Sequence, residues 1–282
     1  MSFTRVLVRF TLFSLLIGLL NLISPALFGQ SSQLRGQVLD ATRSVIPGAS
    51  LDLVNQATQL VRRQLSNDLG RFEFTNLPPG LYTLTSGQAG FKTVVHTDIP
   101  CEVDSSLTLD IVLEVGDVSE TVTVISSATP LNRTNASLGN TINTDLIDGA
   151  PLEARNMTKL LTLQPGVTPE GYVSGARSDQ SNVTLDGIDA NDQFWGDVFE
   201  PVLRVTPDSV QEFRVVTSNP TASQGRSSGA QVSLVTRTGT SEFHGALYAY
   251  HRNAVTSANN FFNNRVGVPR PQLIRNVFGG RI

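Results

Sequence analysis

Apolar and polar positions alternate in short runs along most of this chain, with turn residues between them. Phe72 and Phe74 alternate with Arg71, Glu73 and Thr75, and Leu107, Leu109, Ile111 and Leu113 alternate with Thr108, Asp110, Val112 and Glu114. A period of two is that of a half-buried strand. Turn signals at Pro47-Gly48, Asn67-Asp68-Leu69-Gly70 and Pro78-Pro79-Gly80 separate these runs. Their spacing over residues 33–115 predicts a small all-β sandwich. The first residues differ. Arg5 and Arg9 precede an apolar run from Phe10 to Leu20, and small residues follow near Ala26 and Gly29. That is the layout of an export signal over residues 1–30, short and rich in Ser and Thr for a membrane-spanning helix, with an uncleaved anchor as the alternative.

Beyond the sandwich the pattern becomes mixed. Ser119 to Val124 reads Ser-Glu-Thr-Val-Thr-Val, an extended strand with one apolar edge, suited to pairing with another sheet edge. Ile147 to Pro151 leads into Asn156–Leu163, where Met157, Leu160 and Leu161 share a helical face that stops at Gln164-Pro165-Gly166-Val167. Val183-Thr184-Leu185 runs into the turn Asp186-Gly187, and Pro207-Asp208-Ser209 opens a segment ending as a strand at Val215-Val216. The glycine-rich turn Gly225 to Gly229 leads into a strand from Gln231 to Thr236. After residue 239, Phe243, Leu247 and Ala249 alternate with His244, Ala246, Tyr248 and Tyr250. Strands of outer-membrane barrels alternate faces in this way. Asn276 to Ile282 begins a second such strand.

Composition narrows the function classes. Of 282 residues 40% are hydrophobic and only 16% charged, with a net charge of -3 and no basic block. Nucleic-acid binding by electrostatic attraction is therefore excluded. A single cysteine, Cys101, excludes an internal disulfide and reads as a half-buried strand residue. The histidines, His96, His244 and His251, have no glutamate within the following four residues, so zinc-peptidase chemistry finds no ligands. Gly225-Arg226-Ser227-Ser228-Gly229 satisfies G-x-S-x-G, but a polar loop precedes it and a strand follows, where a nucleophile elbow needs strand and then helix. Asp186, Asp189, Asp192 and Asp197 approach a calcium loop, yet Phe194 stands where an EF-hand needs glycine. No catalytic, metal or cofactor site is expected, and the chain does not read as an enzyme.

Several of these residue runs resemble known families. Val45-Ile46-Pro47-Gly48-Ala49, Asn67 to Phe74, Leu77 to Tyr82 and Gly90-Phe91 resemble the carboxypeptidase regulatory-like domain. The resemblance implies a transthyretin-like, carbohydrate-binding-like sandwich, with Tyr82 and Phe91 as packing aromatics. The ordered elements of residues 117–238 resemble the plug domain of TonB-dependent receptors, with Asp186, Gly187, Gly225 and Gly229 as plug-motif positions. Gln231 and Ser233 depart from the family pattern. Within it, Glu120, Thr121, Val122, Thr123 and Val124 resemble the TonB box. Phe243-His244-Gly245, Asn260-Phe261-Phe262 and Arg275 to Gly279 resemble the opening of the barrel in the Oar-like subgroup, over residues 239–282.

Together these resemblances imply an N-terminal fragment of an outer-membrane receptor that is exported, spans lipid through a barrel of about 22 strands and is energised by TonB. The substrate would be a small molecule, glycan or peptide. The alternative is a secreted or periplasmic glycan-binding module without transport.

Overall fold

This computed structural model describes residues 32–125, 136–150, 152, 155–222 and 224–282. The expected export signal and Pro151 lie outside the described residues. The chain is mainly β and begins with a sandwich. Its strands are β1 (Ser32–Asp40), β2 (Ser50–Asn55), β3 (Val61–Leu65), β4 (Arg71–Leu77), β5 (Gly80–Gly87), β6 (Thr93–Cys101), β7 (Ser106–Thr108), β8 (Ile111–Leu113) and β9 (Thr121–Ile125).

In one sheet β1 lies between antiparallel β4 and the parallel strands β7 and β8; the other sheet runs β3-β2-β5-β6-β9. Alternation places Leu34, Leu51, Leu53, Phe72, Phe74, Leu84, Ile99, Ile111 and Leu113 between the sheets, where they form one core. The predicted run from Leu107 to Leu113 is broken in two. Gly36 of β1 sits so close to Leu109 that an added Cβ would lie 1.8 Å from the Leu109 carbonyl oxygen. The ladder is therefore interrupted there and resumes in the same register at Val38 and Ile111, and Leu109 is only partly buried.

A second core forms around a five-stranded mixed sheet. It contains β10 (Leu138–Asn143), β11 (Asn182–Leu185), β12 (Ile188–Asp189), β13 (Val210–Ser218) and β14 (Gln231–Thr236), in the order β10-β13-β14-β11-β12. Helix α1 (Thr144–Gly149) follows β10 directly, and the Asn143 side chain caps it by accepting from the Leu146 N–H. The predicted helix at 156–163 is a 3-10 helix, Met157–Leu163, burying Met157, Leu160 and Leu161 against Phe213, Val232 and Leu234. Finally β15 (Ala246–Asn253) and β16 (Ile274–Arg281) pair antiparallel, joined by a connection containing α2 (Phe261–Arg265). Residues 240–245, expected to be part of the first barrel strand, precede β15 as irregular chain.

Candidate functional site

The candidate pairing segment lies on the sandwich. Thr121–Ile125 forms β9 and pairs parallel with β6, Thr93 opposite Thr121 and Val95 opposite Thr123. The sandwich sheet thus extends about ten residues past the expected boundary at 115. Glu120 stands just before the strand, where its backbone carbonyl accepts from Thr93 N–H at 2.9 Å and its carboxylate meets Lys92 Nζ at 3.0 Å. Thr93 Oγ1 donates to the Val118 carbonyl at 2.8 Å.

The other motif residues gather on β11 and β14. Asp186 and Gly187, both at positive φ (50° and 81°), form the two-residue turn between β11 and β12. Asp186 Oδ1 accepts from the Thr236 N–H at 2.9 Å and Oδ2 accepts from Thr236 Oγ1 at 2.8 Å, tying the turn to the far end of β14. At the near end, the Gly229 N–H donates to the Gln180 carbonyl at 2.8 Å. A Cβ on Gly229 would lie 2.7 Å from Ser181 Oγ, whereas one on Gly225 would meet nothing. The two glycine motifs therefore brace opposite ends of one parallel strand pair, and the 120–124 segment belongs to another sheet.

The residues weighed for catalysis and metal binding serve local structure. Ser227 Oγ accepts from Gln231 Nε2, and strand β14 follows it, so no elbow forms. Asp192 caps the Phe194 N–H and Asp197 caps the Phe199 N–H, while Asp189 pairs with Arg226. Among the described residues no group of three His, Cys, Asp or Glu side chains could hold a metal. Tyr82 is buried with its hydroxyl donating to Pro78, and Phe91 packs on the core, so neither offers a sugar platform. Cys101 is buried, and that burial pushes its thiol up to about 12.

Two features were not read from the sequence. The first joins the sandwich to the second sheet. The Val103 N–H donates to both oxygens of Glu212 at 3.1 Å, Thr141 Oγ1 donates to Glu102 Oε2 at 2.9 Å, and Ser233 Oγ donates to Asp104 Oδ2 at 3.0 Å. Burial pushes the Glu212 carboxyl up to about 7, reinforced by Glu102 and Asp104 and opposed by the Val103 N–H and Arg214. No spacing rule pairs residues 39 to 129 positions apart, so no sequence signal marked this contact.

The second is Asp208, where the hairpin attaches. Tyr250 Oη donates to Asp208 Oδ1 at 2.8 Å, Arg155 pairs with Oδ2 at 3.3 Å, and the Arg155 guanidinium lies 3.9 Å from the Tyr250 ring centre. Arg281 donates to the Asp208 carbonyl at 3.1 Å. The opposite face of the hairpin carries Leu247, Ala249 and Phe278, all exposed.

Comparison with known proteins agrees with this organisation. The carboxypeptidase regulatory-like domain matches residues 33–114, and the outer membrane beta barrel domain matches residues 235–282. The TonB-dependent transporter Oar of Myxococcus xanthus is 27% identical over 241 residues, which cover 81% of this chain and 22% of that protein. The chain thus spans about a fifth of the length of the curated relative it matches.

Solved structures overlap only in part. Hydroxyquinol 1,2-dioxygenase from Pseudomonas putida DLL-E4 is 13% identical at a TM-score of 0.27, covering 31% of this chain and 57% of that one. The Bacillus anthracis TIE protein is 22% identical at a TM-score of 0.28, covering 40% of this chain and 22% of that one. Overlaps of that size carry no functional meaning. The two domain matches and the Oar relative together make the chain similar to one stretch of an Oar-like TonB-dependent transporter.

Proposed function

We propose that the chain supplies the sandwich, the plug and the opening hairpin of the barrel of a TonB-dependent outer-membrane transporter. In this reading residues 1–30 are the export signal, 33–115 the sandwich proper, 117–238 the plug, and 239–282 the first barrel strands. The supporting observation is the two-faced hairpin. Tyr248, Tyr250 and Arg252 turn toward the second sheet and its Asp208 anchor, while Leu247, Ala249 and Phe278 face outward. A barrel wall packed around a plug needs this pattern, polar or aromatic toward the lumen and apolar toward lipid.

The activity is mechanical rather than covalent. A small-molecule, glycan or peptide substrate binds on the outer side and shifts the plug, with the braced turns at Asp186-Gly187 and Gly225 to Gly229 as its fixed points. TonB in the periplasm engages the TonB box, Glu120 to Val124, and remodels the plug. The box contributes extended, β-branched backbone, which suits strand addition.

Fractionation of the native protein tests this reading. An antibody to residues 33–115 is expected to detect a heat-modifiable outer-membrane band that co-precipitates the periplasmic domain of TonB. A soluble band with no TonB bound would reject transport.

A further inference from the structure

The loop that leaves β12 is pinned at both ends and displays its middle. Ala190 on one side and Val198 and Phe199 on the other are buried members of the second core. Between them Phe194 is 83% and Trp195 78% exposed, with their rings edge to face at 4.9 Å. The loop is held in this shape by its own hydrogen bonds. Asp192 Oδ1 accepts from the Phe194 and Trp195 N–H groups at 2.8 and 3.3 Å, and the Gly196 N–H donates to the Asp192 carbonyl at 3.1 Å. Ser178 Oγ fixes the far side, accepting from the Val198 N–H at 3.1 Å and donating to Asp197 Oδ1 at 3.3 Å. A braced loop therefore turns the chain's single tryptophan to solvent, where a ring of that size is normally covered.

Beside the two rings opens a cleft of about 300 Å³, the lower end of the range for small-molecule sites. Most polar groups around it are already engaged. Asp179 pairs with Arg177, Asp189 with Arg226, and Asn191 donates to both Asn182 and Asp189. Among the described residues, Asp192 Oδ2, Asp197 Oδ2 and the Gln193 amide have no partner.

These open groups select the ligand. Two free carboxylate oxygens only accept, so the ligand must donate. An anion would meet Asp192 and Asp197 with both nearby arginines already paired. A metal ion finds no group of three His, Cys, Asp or Glu side chains among the described residues. A purely apolar ligand would strip water from the carboxylates without replacing it. A compact cation would satisfy the carboxylates and leave the Gln193 amide unused. A sugar chain engages all three features, with hydroxyls for the carboxylates and the amide and a flat C–H face for the rings.

We propose that residues 190–199 and this cleft form a binding site for a neutral oligosaccharide. One sugar ring stacks on the Phe194–Trp195 pair while its hydroxyls donate to Asp192 and Asp197 and meet Gln193. The site lies on the second domain, outside the sandwich. As an identification of the cargo it rests on the transport reading above; as a binding site it does not.

Trp195 is the only tryptophan, so the tryptophan emission of the chain reports on this site alone. The full chain in mild detergent is titrated with neutral oligosaccharides of the malto, cello, xylo and manno series. At least one series is expected to shift the emission saturably and to shield the ring from acrylamide. Asp192→Asn keeps the capping oxygen and replaces the free one by an amide. It is expected to weaken binding by about tenfold at an unchanged melting temperature. Trp195→Ala, followed by calorimetry, should lose at least as much. Unchanged affinity in both variants would put the sugar elsewhere on the chain and overturn the proposal. No response to any series would overturn it too, while leaving the transport reading to the fractionation test. So would a saturable response to choline or spermidine with none to sugars, which would make this a cation site. A ring shielded from acrylamide before any sugar is added would mark a covered or lipid-facing surface and overturn it as well. A soluble native band with no TonB bound would remove only the cargo assignment, and sugar binding would stand.

Discussion

Glu212 is buried in strand β13, yet both of its carboxylate oxygens face one backbone N–H, that of Val103 in the sandwich. Burial raises its value most, Glu102 and Asp104 add like charge, and the Val103 N–H and Arg214 oppose them. The carboxyl therefore holds its proton up to about 7, above the ordinary 4.5 of an exposed glutamate. A group whose value is raised on folding contributes stability in full below its unfolded value, and that stability is lost as pH rises through the folded value. The contact between sandwich and second sheet should thus weaken between about pH 5 and pH 8, by on the order of 1–3 kcal/mol. Thermal unfolding of the chain followed from pH 5 to pH 9 is expected to show a falling melting temperature over this window. Glu212→Gln, neutral at every pH, should flatten that slope; an unchanged slope would assign it to other groups.

At the scale of elements, legibility followed burial. Phe72 and Phe74 declared β4 because their alternation with Arg71 and Glu73 encodes a face, and both are buried as that pattern requires. The turn at Asp186-Gly187 was legible because two successive positive φ angles suit this dipeptide best. Helix α1 escaped the sequence reading because only Ile147 among its described side chains is buried, too little for a period to register. The docking of β9 on β6 escaped it for a related reason. Its Thr-Val alternation promised one apolar edge, but both faces are exposed, and parallel pairing with a strand about 28 residues earlier leaves no local trace.

The glycines of the proposed plug motif show a similar split between pattern and geometry. Gly229→Ala would push a Cβ against Ser181 Oγ and the Gln180 carbonyl, at the point where β14 begins. It is expected to cost about 1–3 kcal/mol, read as a shifted denaturant midpoint, while Gly225→Ala, whose Cβ meets open space, should leave the midpoint nearly unchanged. Equal effects from the two would mean that the turn relaxes as a unit.

Across the whole molecule, two cores stand complete and one hairpin does not. The sandwich core and the second-sheet core each enclose their large apolar side chains, whereas β15 and β16 leave Leu247 92% and Phe278 81% exposed. Phe243, just before β15, is fully exposed as well. Apolar side chains in such number on one two-stranded ribbon favour association with lipid, detergent or one another. The hairpin remains attached through the polar hub at Asp208, so removing it would uncover Asp208, Arg155 and Thr206.

Two chains, residues 32–282 and 32–238, separate these contributions. The longer is expected to bind a hydrophobic dye strongly and to need detergent to run as a single species in size-exclusion chromatography. The shorter should be monodisperse without detergent and should melt at a similar temperature, because neither core loses a member. If both chains behave alike in the absence of detergent, the outward face of the hairpin is not a lipid-facing surface, and the barrel reading of residues 239–282 falls with it.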